Sequence, residues 1–138
     1  MVRKDLVAVR LEKLRNYLKT LKAIRKFDLE TFKKDVFVHA TAERYLHLSI
    51  ECLLDIGSHL IADRGCRKPD TYGEIFEILA EEGVISTTLL KELEGMAAFR
   101  NILVHDYFRL DSDQVYGILR DRIKTLEKLA KVYAALLE

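Results

Sequence analysis

The most informative absences in this sequence are those of proline, tryptophan and paired cysteines. Its 138 residues include one proline, six glycines, two cysteines and no tryptophan. Because proline and glycine are scarce, few breaks are enforced, and the abundant leucine, alanine, lysine and glutamate favour helix throughout. A chain of this length can bury about two-thirds of its unfolded surface, which is enough for one core. We therefore expect a single all-α domain spanning residues 1–138.

The two cysteines, Cys52 and Cys66, do not form a CxxC pair. Their spacing excludes a zinc-ribbon pattern and a disulfide framework, and it favours a reduced, cytoplasmic protein. No apolar run approaches the roughly 18 residues of a membrane span, so neither a signal peptide nor a transmembrane anchor is expected. Asp55 and His59 are spaced i, i+4 and could bind a metal or form a hydrogen-bonded pair, but the sequence places no third ligand. We expect no metal and no cofactor.

Charge is nearly balanced over the whole chain but unevenly distributed along it. The formal net charge is +1, whereas residues 1–34 carry eleven Lys or Arg and four Asp or Glu. One interpretation is a positive field that attracts an RNA backbone or an acidic partner. The other is the solvated face of a long amphipathic helix. The sequence leaves both interpretations open.

Apolar residues recur at helical spacing through most of the chain. The periodicity predicts helices at about residues 2–26, 29–63, 71–83, from 86 through the stretch described next, and 111–137. Asp28 and Ser86 are predicted N-caps, Thr71 with Glu74 forms a capping box, and Asp35 is an alternative start for the second helix. Because the connections are short, these helices are expected to pack as an antiparallel bundle of four to five helices.

The densest group of reactive side chains lies in residues 100–107, with the sequence RNILVHDY. This stretch places a permanent cation, a carboxamide, an imidazole, a carboxylate and a phenol within eight residues. Imidazole titrates nearest to neutrality, and a guanidinium matches the geometry of a phosphate. The combination suits chemistry on a phosphodiester.

Arg100 is predicted to lie in the middle of the apolar stripe of its helix, close to Met96 and Leu103. An unpaired buried charge is too costly to keep, so the guanidinium must be ion-paired or must open into a polar cavity. Glu43 and Asp55, on the second predicted helix, are the supporting residues expected to pair with Arg100 across the core.

Asn101 and His105 are spaced i, i+4 and share the other side of the same predicted helix. On an ideal helix Arg100 and His105 are about 140° apart, so one regular helix cannot direct both side chains at the same atom. Either the helix loosens near His105, or another element or a second copy of the chain completes the site.

Arg100, His105 and Tyr107, with Asn101 directly after the arginine, form the pattern Arg-x4-His-x-Tyr. This pattern resembles the signature of the HEPN superfamily, and within it the HepT-like ribonuclease toxins. Other segments also match the family and occur in the same order along the chain. They are residues 43–46, Asp55 with His59, and residues 69–74 before the motif, and Asp111 after it. The resemblance covers nearly the whole chain.

The resemblance implies a helical bundle that forms a homodimer, with the paired motif helices framing one cleft. It also implies a metal-independent endoribonuclease in which the ribose 2′-hydroxyl attacks the adjacent phosphorus. His105 would be the general base or acid, and Arg100 would stabilise charge on the phosphoryl oxygens. Asn101 would orient His105 or the phosphate, and Asp106 would orient a neighbouring group or pair with a cation.

The resemblance gives Tyr107 a separate role. In HepT-like toxins this tyrosine is where a partner nucleotidyltransferase antitoxin attaches AMP, which adds charge and bulk beside the catalytic groups. The expected partners are therefore an RNA substrate, a nucleotidyltransferase antitoxin and a second copy of this chain, without a membrane. The alternative is a non-catalytic HEPN-like binding module that partners a nucleotidyltransferase, but such modules tend to lack the arginine and histidine together. Paired Glu-x-x-His motifs of a di-iron bundle are missing from this sequence.

Overall fold

The computed structural model describes residues 3–137, apart from the side chain of Tyr107. The helical elements in this part are α1 (Lys4–Ile24), α2 (Leu29–Lys34), α3 (Val36–Asp63), α4 (Tyr72–Glu81), α5 (Thr87–Glu92), α6 (Met96–His105), a 3-10 turn (Tyr107–Arg109), α7 (Ser112–Asp121) and α8 (Ile123–Ala135). No described residue lies in a strand. The predicted all-α class is confirmed. None of the described helices is both long and apolar enough to cross a membrane.

The central element is α3, a helix of 28 residues that contacts α1, α2, α4, α6, α7 and α8. Its neighbour α1 runs antiparallel to it, as two contacts show: Arg10 pairs with Asp55, whereas the ring of the later residue Tyr17 contacts that of the earlier residue Tyr45. Residues on several sides of α3 are fully buried, including Leu46, Ile50, Leu53 and Ile56. The core therefore surrounds α3.

Three of the helix starts are fixed by the side chains that the sequence predicts. The carboxylate of Asp28 accepts from the backbone N–H of Thr31 at 2.7 Å, and the hydroxyl of Ser86 accepts from that of Leu89 at 3.0 Å. Thr71 and Glu74 form both halves of the capping box. Each cap satisfies amide groups that have no partner inside the helix. These cap predictions are confirmed.

The second predicted helix is divided at Asp35, which confirms the alternative start. The backbone of Asp35 is extended (φ −87°, ψ 106°), so α2 ends there. Its carboxylate accepts from the backbone N–H groups of Phe37 and Val38 at 2.9 and 3.3 Å, which caps α3. One aspartate thus ends one helix and begins the next.

The single helix predicted from Ser86 through the motif is wrong, because Gly95 breaks it. Gly95 has φ +82°, the left-handed region, and the motif helix α6 begins only at the next residue. The guanidinium of Arg122 donates to the carbonyl groups of Glu92 and Glu94 at 2.6 and 3.0 Å. The last predicted helix is also divided, at Arg122 itself, into α7 and α8. Arg122 therefore connects the break between α5 and α6 to the break between α7 and α8.

Candidate active site

Arg100 lies on α6 against α3 and is held there by a carboxylate. Its Nε and Nη2 donate to the two carboxylate oxygens of Glu51 at 2.7 and 3.2 Å. The side chain of Arg100 is only 9% exposed. The two parallel hydrogen bonds raise the pKa of Arg100 against the opposing effect of its burial. The prediction that this buried guanidinium must be ion-paired is confirmed.

The predicted partners of Arg100, however, are wrong. Glu43 lies eight residues before Glu51, about 12 Å away along the axis of α3, and its carboxylate contacts His39 Nδ1 at 3.2 Å. Asp55 lies one turn beyond Glu51 and is rotated towards α1, where it accepts from Arg10 Nε at 2.9 Å. Which carboxylate lies opposite Arg100 therefore depends on how α3 and α6 are aligned. Helical periodicity does not predict that alignment.

Two further groups fix the guanidinium of Arg100. Its Nη1 donates to the amide oxygen of Asn101 at 3.0 Å. The ring of Tyr72, at the start of α4, lies with its centroid 4.5 Å from Cζ of Arg100, which is a cation–π contact. Asn101 therefore bonds to the arginine. Tyr72 was not predicted as a site residue, and a tyrosine at a helix start gives no sequence signal for such a contact.

His105 is the last residue of α6, and its side chain is exposed, as is that of Asn101. The helix is regular up to His105, so it does not loosen before the histidine. Asp106 then leaves the helical conformation (φ −136°, ψ 70°) and its carboxylate lies 3.8 Å from Arg109 Nε. Within one chain, Arg100 is buried and His105 faces solvent, as their 140° separation predicts.

The predicted modification site follows directly. Tyr107 begins the 3-10 turn after α6, and its side chain lies outside what the structure describes. The neighbouring Phe108 is fully exposed. Tyr107 is therefore two residues beyond His105 in the sequence and lies just after the end of the motif helix.

A cleft of about 320 Å³ lies between α3 and α6. Its lining includes Glu43, Arg44 and His47 from α3 and Leu103 and Val104 from α6. Nε2 of His47 lies 3.8 Å from Glu51, the same carboxylate that holds Arg100. Burial, together with the charges of Arg44 and Arg100, lowers the pKa of His47 against the opposing effect of Glu51.

The structure does not bring the remaining candidate pair together as a metal site. Asp55 bonds to Arg10, and His59 is exposed on the same helix. Among the described residues there is no group of three or more His, Cys, Asp or Glu side chains that could hold a metal ion.

The motif that resembles the HEPN signature thus lies on one helix of an all-helical bundle, with Arg100 buried and ion-paired and His105 exposed. The chain belongs to the HepT-like family, whose model, described as "Ribonuclease HepT-like", matches residues 12–133.

Known proteins resemble this chain over most of its length. YutE of Bacillus subtilis is 31% identical over 112 residues, which are 81% of this chain and 78% of that protein. The tRNA nuclease HepT of Aphanizomenon flos-aquae is 28% identical over 111 residues, which are 80% of this chain and 76% of that protein. The solved structure of the tri-AMPylated Shewanella oneidensis HEPN toxin in complex with MNT antitoxin superposes with a TM-score of 0.86 and 24% identity, covering 95% of this chain and 98% of that one. This likeness confirms the predicted HEPN-like fold.

Proposed function

We propose that this protein is an endoribonuclease toxin of a toxin–antitoxin pair, which cleaves RNA without a metal. The observation that carries the proposal is Arg100, a guanidinium fixed by Glu51 and Tyr72, five residues before an exposed histidine. A relative is named a tRNA nuclease, and a protein of the same fold is described as a toxin in complex with an antitoxin. Both names support this class of activity.

The chemistry is an internal transesterification. The ribose 2′-oxygen attacks phosphorus, a 2′-O–P bond forms and the P–O5′ bond breaks, which leaves a 2′,3′-cyclic phosphate and a 5′-hydroxyl. His105 takes the proton of the 2′-hydroxyl or gives one to the leaving 5′-oxygen. Arg100 stabilises the negative charge that develops on the phosphoryl oxygens. Asn101 bonds to Arg100 and orients its fork, and Asp106 neutralises the nearby Arg109.

A homodimer completes the site in this proposal. Ala98, Asn101 and His105 are exposed along one face of α6, and Phe108 follows directly after it. Small and polar residues on that face allow a second α6 to approach closely, and the exposed phenylalanine supplies apolar area for the contact. Two copies of the motif then face one cleft, so the histidine of one chain serves a phosphate bound by the arginine of the other.

The decisive experiment measures cleavage of single-stranded RNA in EDTA. We expect cleavage to continue in EDTA and His105→Ala to reduce the rate on the order of a hundredfold or more, because proton transfer is lost. Substrate with a 2′-deoxyribose at the cleaved position is expected to resist cleavage. His59→Ala, which alters another exposed histidine, is the matched control. Cleavage that survives His105→Ala, or that requires a metal, would contradict the mechanism.

The antitoxin in this proposal is a nucleotidyltransferase that modifies Tyr107. The phenol oxygen attacks the α-phosphorus of ATP, a tyrosyl-O–P bond forms, and pyrophosphate leaves. The tri-AMPylated state of the Shewanella toxin supports this type of regulation. An added adenylate brings negative charge and bulk two residues from His105, which would exclude an RNA phosphate.

The modification is tested by incubating the protein with ATP and the nucleotidyltransferase encoded beside it. Mass spectrometry is expected to find adenylate on Tyr107, none on the Tyr107→Phe variant, and a loss of cleavage that parallels the modification. Tyr116→Phe keeps Tyr107 and serves as the control. Adenylate on another residue, or modification without loss of cleavage, would rule out this switch.

A further inference from the structure

One cation beside the motif is not used by the proposed mechanism. Arg44 is exposed at the cleft between α3 and α6, whose other wall contains Leu103 and Val104 of the motif helix. Its Nη1 donates to Nδ1 of His47 at 3.2 Å. Over the described residues, no carboxylate pairs with Arg44.

Three other arginines on or next to α3 and α6 are each paired with a carboxylate, unlike Arg44. Arg100 is held by Glu51, Arg10 by Asp55 and Arg109 by Asp106. A guanidinium whose charge is already balanced by a carboxylate attracts a phosphate less strongly than one whose charge is not balanced. The charge of Arg44 is not balanced in this way, because its partner is a histidine.

A row of two neighbouring side chains also leads from Arg44 to Arg100. His47 accepts from Arg44 through Nδ1, its Nε2 lies 3.8 Å from Glu51, and Glu51 accepts from Arg100. The low pKa of His47 keeps its ring neutral near neutral pH, so Nδ1 can accept this hydrogen bond. The two guanidinium groups therefore lie at the two ends of one row of neighbouring side chains.

The cleft has room for a sugar–phosphate backbone, and its lining is polar on one wall and apolar on the other. The one carboxylate in that lining, Glu43, is in contact with His39 Nδ1 at 3.2 Å. Ala40 also lines the cleft, and its side chain takes up little space.

We propose that this cleft is a second phosphate subsite, in which Arg44 binds the RNA phosphate next to the one that is cleaved. His47 is the positioning residue that presents the guanidinium of Arg44. The inference rests on the proposed function for its ligand, which is an RNA strand crossing the cleft. It assigns a role to α3 in substrate binding, beyond the motif on α6.

The test compares short RNAs with one and with two phosphodiesters, each blocked by a 2′-O-methyl group at the cleavable position. We expect Arg44→Gln to weaken binding of the trinucleotide on the order of tenfold and to leave the dinucleotide nearly unchanged, because only the former reaches the second subsite. The slope of log K against log salt for the trinucleotide is expected to fall by about 0.7, the value for one lost single-strand phosphate contact. Arg44→Lys is expected to keep the slope.

Arg15→Gln removes the same charge from α1, in a groove shared with α8, and is the matched control. An equal loss of binding in both variants, or an equal loss for both RNAs, would show a general electrostatic effect and overturn the subsite. An unchanged salt slope in Arg44→Gln would do the same. Because the RNAs are blocked, binding is measured whether or not the wild-type protein cleaves, so a failure of the subsite and a failure of the ribonuclease activity give different results.

With cleavable trinucleotide, Arg44→Gln is expected to raise KM about tenfold with kcat unchanged, since the contact is the same in the ground and transition states. His47→Gln is expected to reproduce a smaller part of that KM increase. If kcat fell and KM did not, Arg44 would act on the reacting phosphate, and the separate subsite would be wrong.

Discussion

Arg100 and Glu51 form a bidentate ion pair that joins the motif helix to the central helix of the bundle. The two hydrogen bonds, at 2.7 and 3.2 Å, match the fork of the guanidinium to both carboxylate oxygens. The Arg100 side chain is 9% exposed and that of Glu51 is 37% exposed, so the carboxylate is the more solvated partner of the pair. This arrangement fixes the direction in which Arg100 presents its remaining N–H groups.

Removing the carboxylate is expected to affect both the fold and the reaction. Glu51→Gln leaves a nearly buried cation without its counter-charge, and we expect the free energy of unfolding to fall by about 1–3 kcal/mol. RNA cleavage by the folded variant is expected to fall on the order of tenfold to a hundredfold, because Arg100 loses its orientation. Urea denaturation and initial cleavage rates measure the two effects.

Glu43→Gln is the control for this prediction, because Glu43 lies on the same helix without contacting Arg100. We expect its free energy of unfolding to stay within about 0.5 kcal/mol of the wild type. Equal destabilisation by the two substitutions would mean that the Arg100–Glu51 contact contributes nothing specific.

The features predictable from sequence are those that neighbouring residues decide. The caps at Asp28, Ser86 and Thr71 depend on side chains within a few residues, and they are found where expected. That Arg100 needs a counter-charge is predictable from its position in the apolar stripe of its helix. The choice of Glu51 over Glu43 depends on how two distant helices are aligned, and no local pattern encodes that alignment.

The break before the motif helix was missed for a similar reason. Leucines and methionine continue at helical spacing across Gly95, so the periodicity predicts one helix. The end of α5 depends partly on a distant residue. Arg122, at the junction of α7 and α8, donates hydrogen bonds to the backbone carbonyls of Glu92 and Glu94. Helical periodicity alone does not show whether a glycine inside the pattern ends the helix.

Gly95→Ala is expected to destabilise the protein through its backbone. A Cβ at this position meets no atom within 4 Å, but φ is +82°, where an alanine costs about 1–2 kcal/mol. Gly117→Ala is the matched control, because it lies inside α7 with open space around it. That variant is expected to be more stable by about 0.5–1 kcal/mol, as alanine favours helix. Thermal unfolding of both variants checks the sign, and stabilisation by Gly95→Ala would contradict the left-handed break.

His47 is expected to make stability depend on pH. Its pKa is lowered from an ordinary 6.5 by burial and by the charges of Arg44 and Arg100, while Glu51 opposes the shift. The unfolded chain therefore binds a proton at higher pH than the folded chain does. The contribution of neutral His47 to the free energy of unfolding is fully present above about pH 6.5, and it is lost as the pH falls towards the lowered pKa of the folded state.

His47→Gln removes this proton uptake, so its loss of stability between about pH 7.5 and about pH 5 is expected to be smaller than that of the wild type. Urea denaturation at the two pH values gives the comparison. His59→Gln, an exposed histidine on the same helix, controls for the general effect of acid on the carboxylates. A wild-type loss no larger than that of His47→Gln would exclude His47 as the titrating group.

Gly57 tests the packing of the core around α3. A Cβ on Gly57 would lie 2.7 Å from Cγ2 of Ile75 and 2.9 Å from the hydroxyl of Tyr133, so Gly57→Ala is expected to cost about 1–3 kcal/mol although alanine favours helix. The Tyr133 hydroxyl donates to the carbonyl of Leu53 at 3.0 Å, and Tyr133→Phe alone is expected to cost about 1 kcal/mol. Because Tyr133→Phe also removes one of the two clashing atoms, the double variant is expected to be more stable than the sum of the single effects predicts. Urea denaturation of the four proteins measures this coupling, and strict additivity would show that the clash with Tyr133 does not limit the size of residue 57.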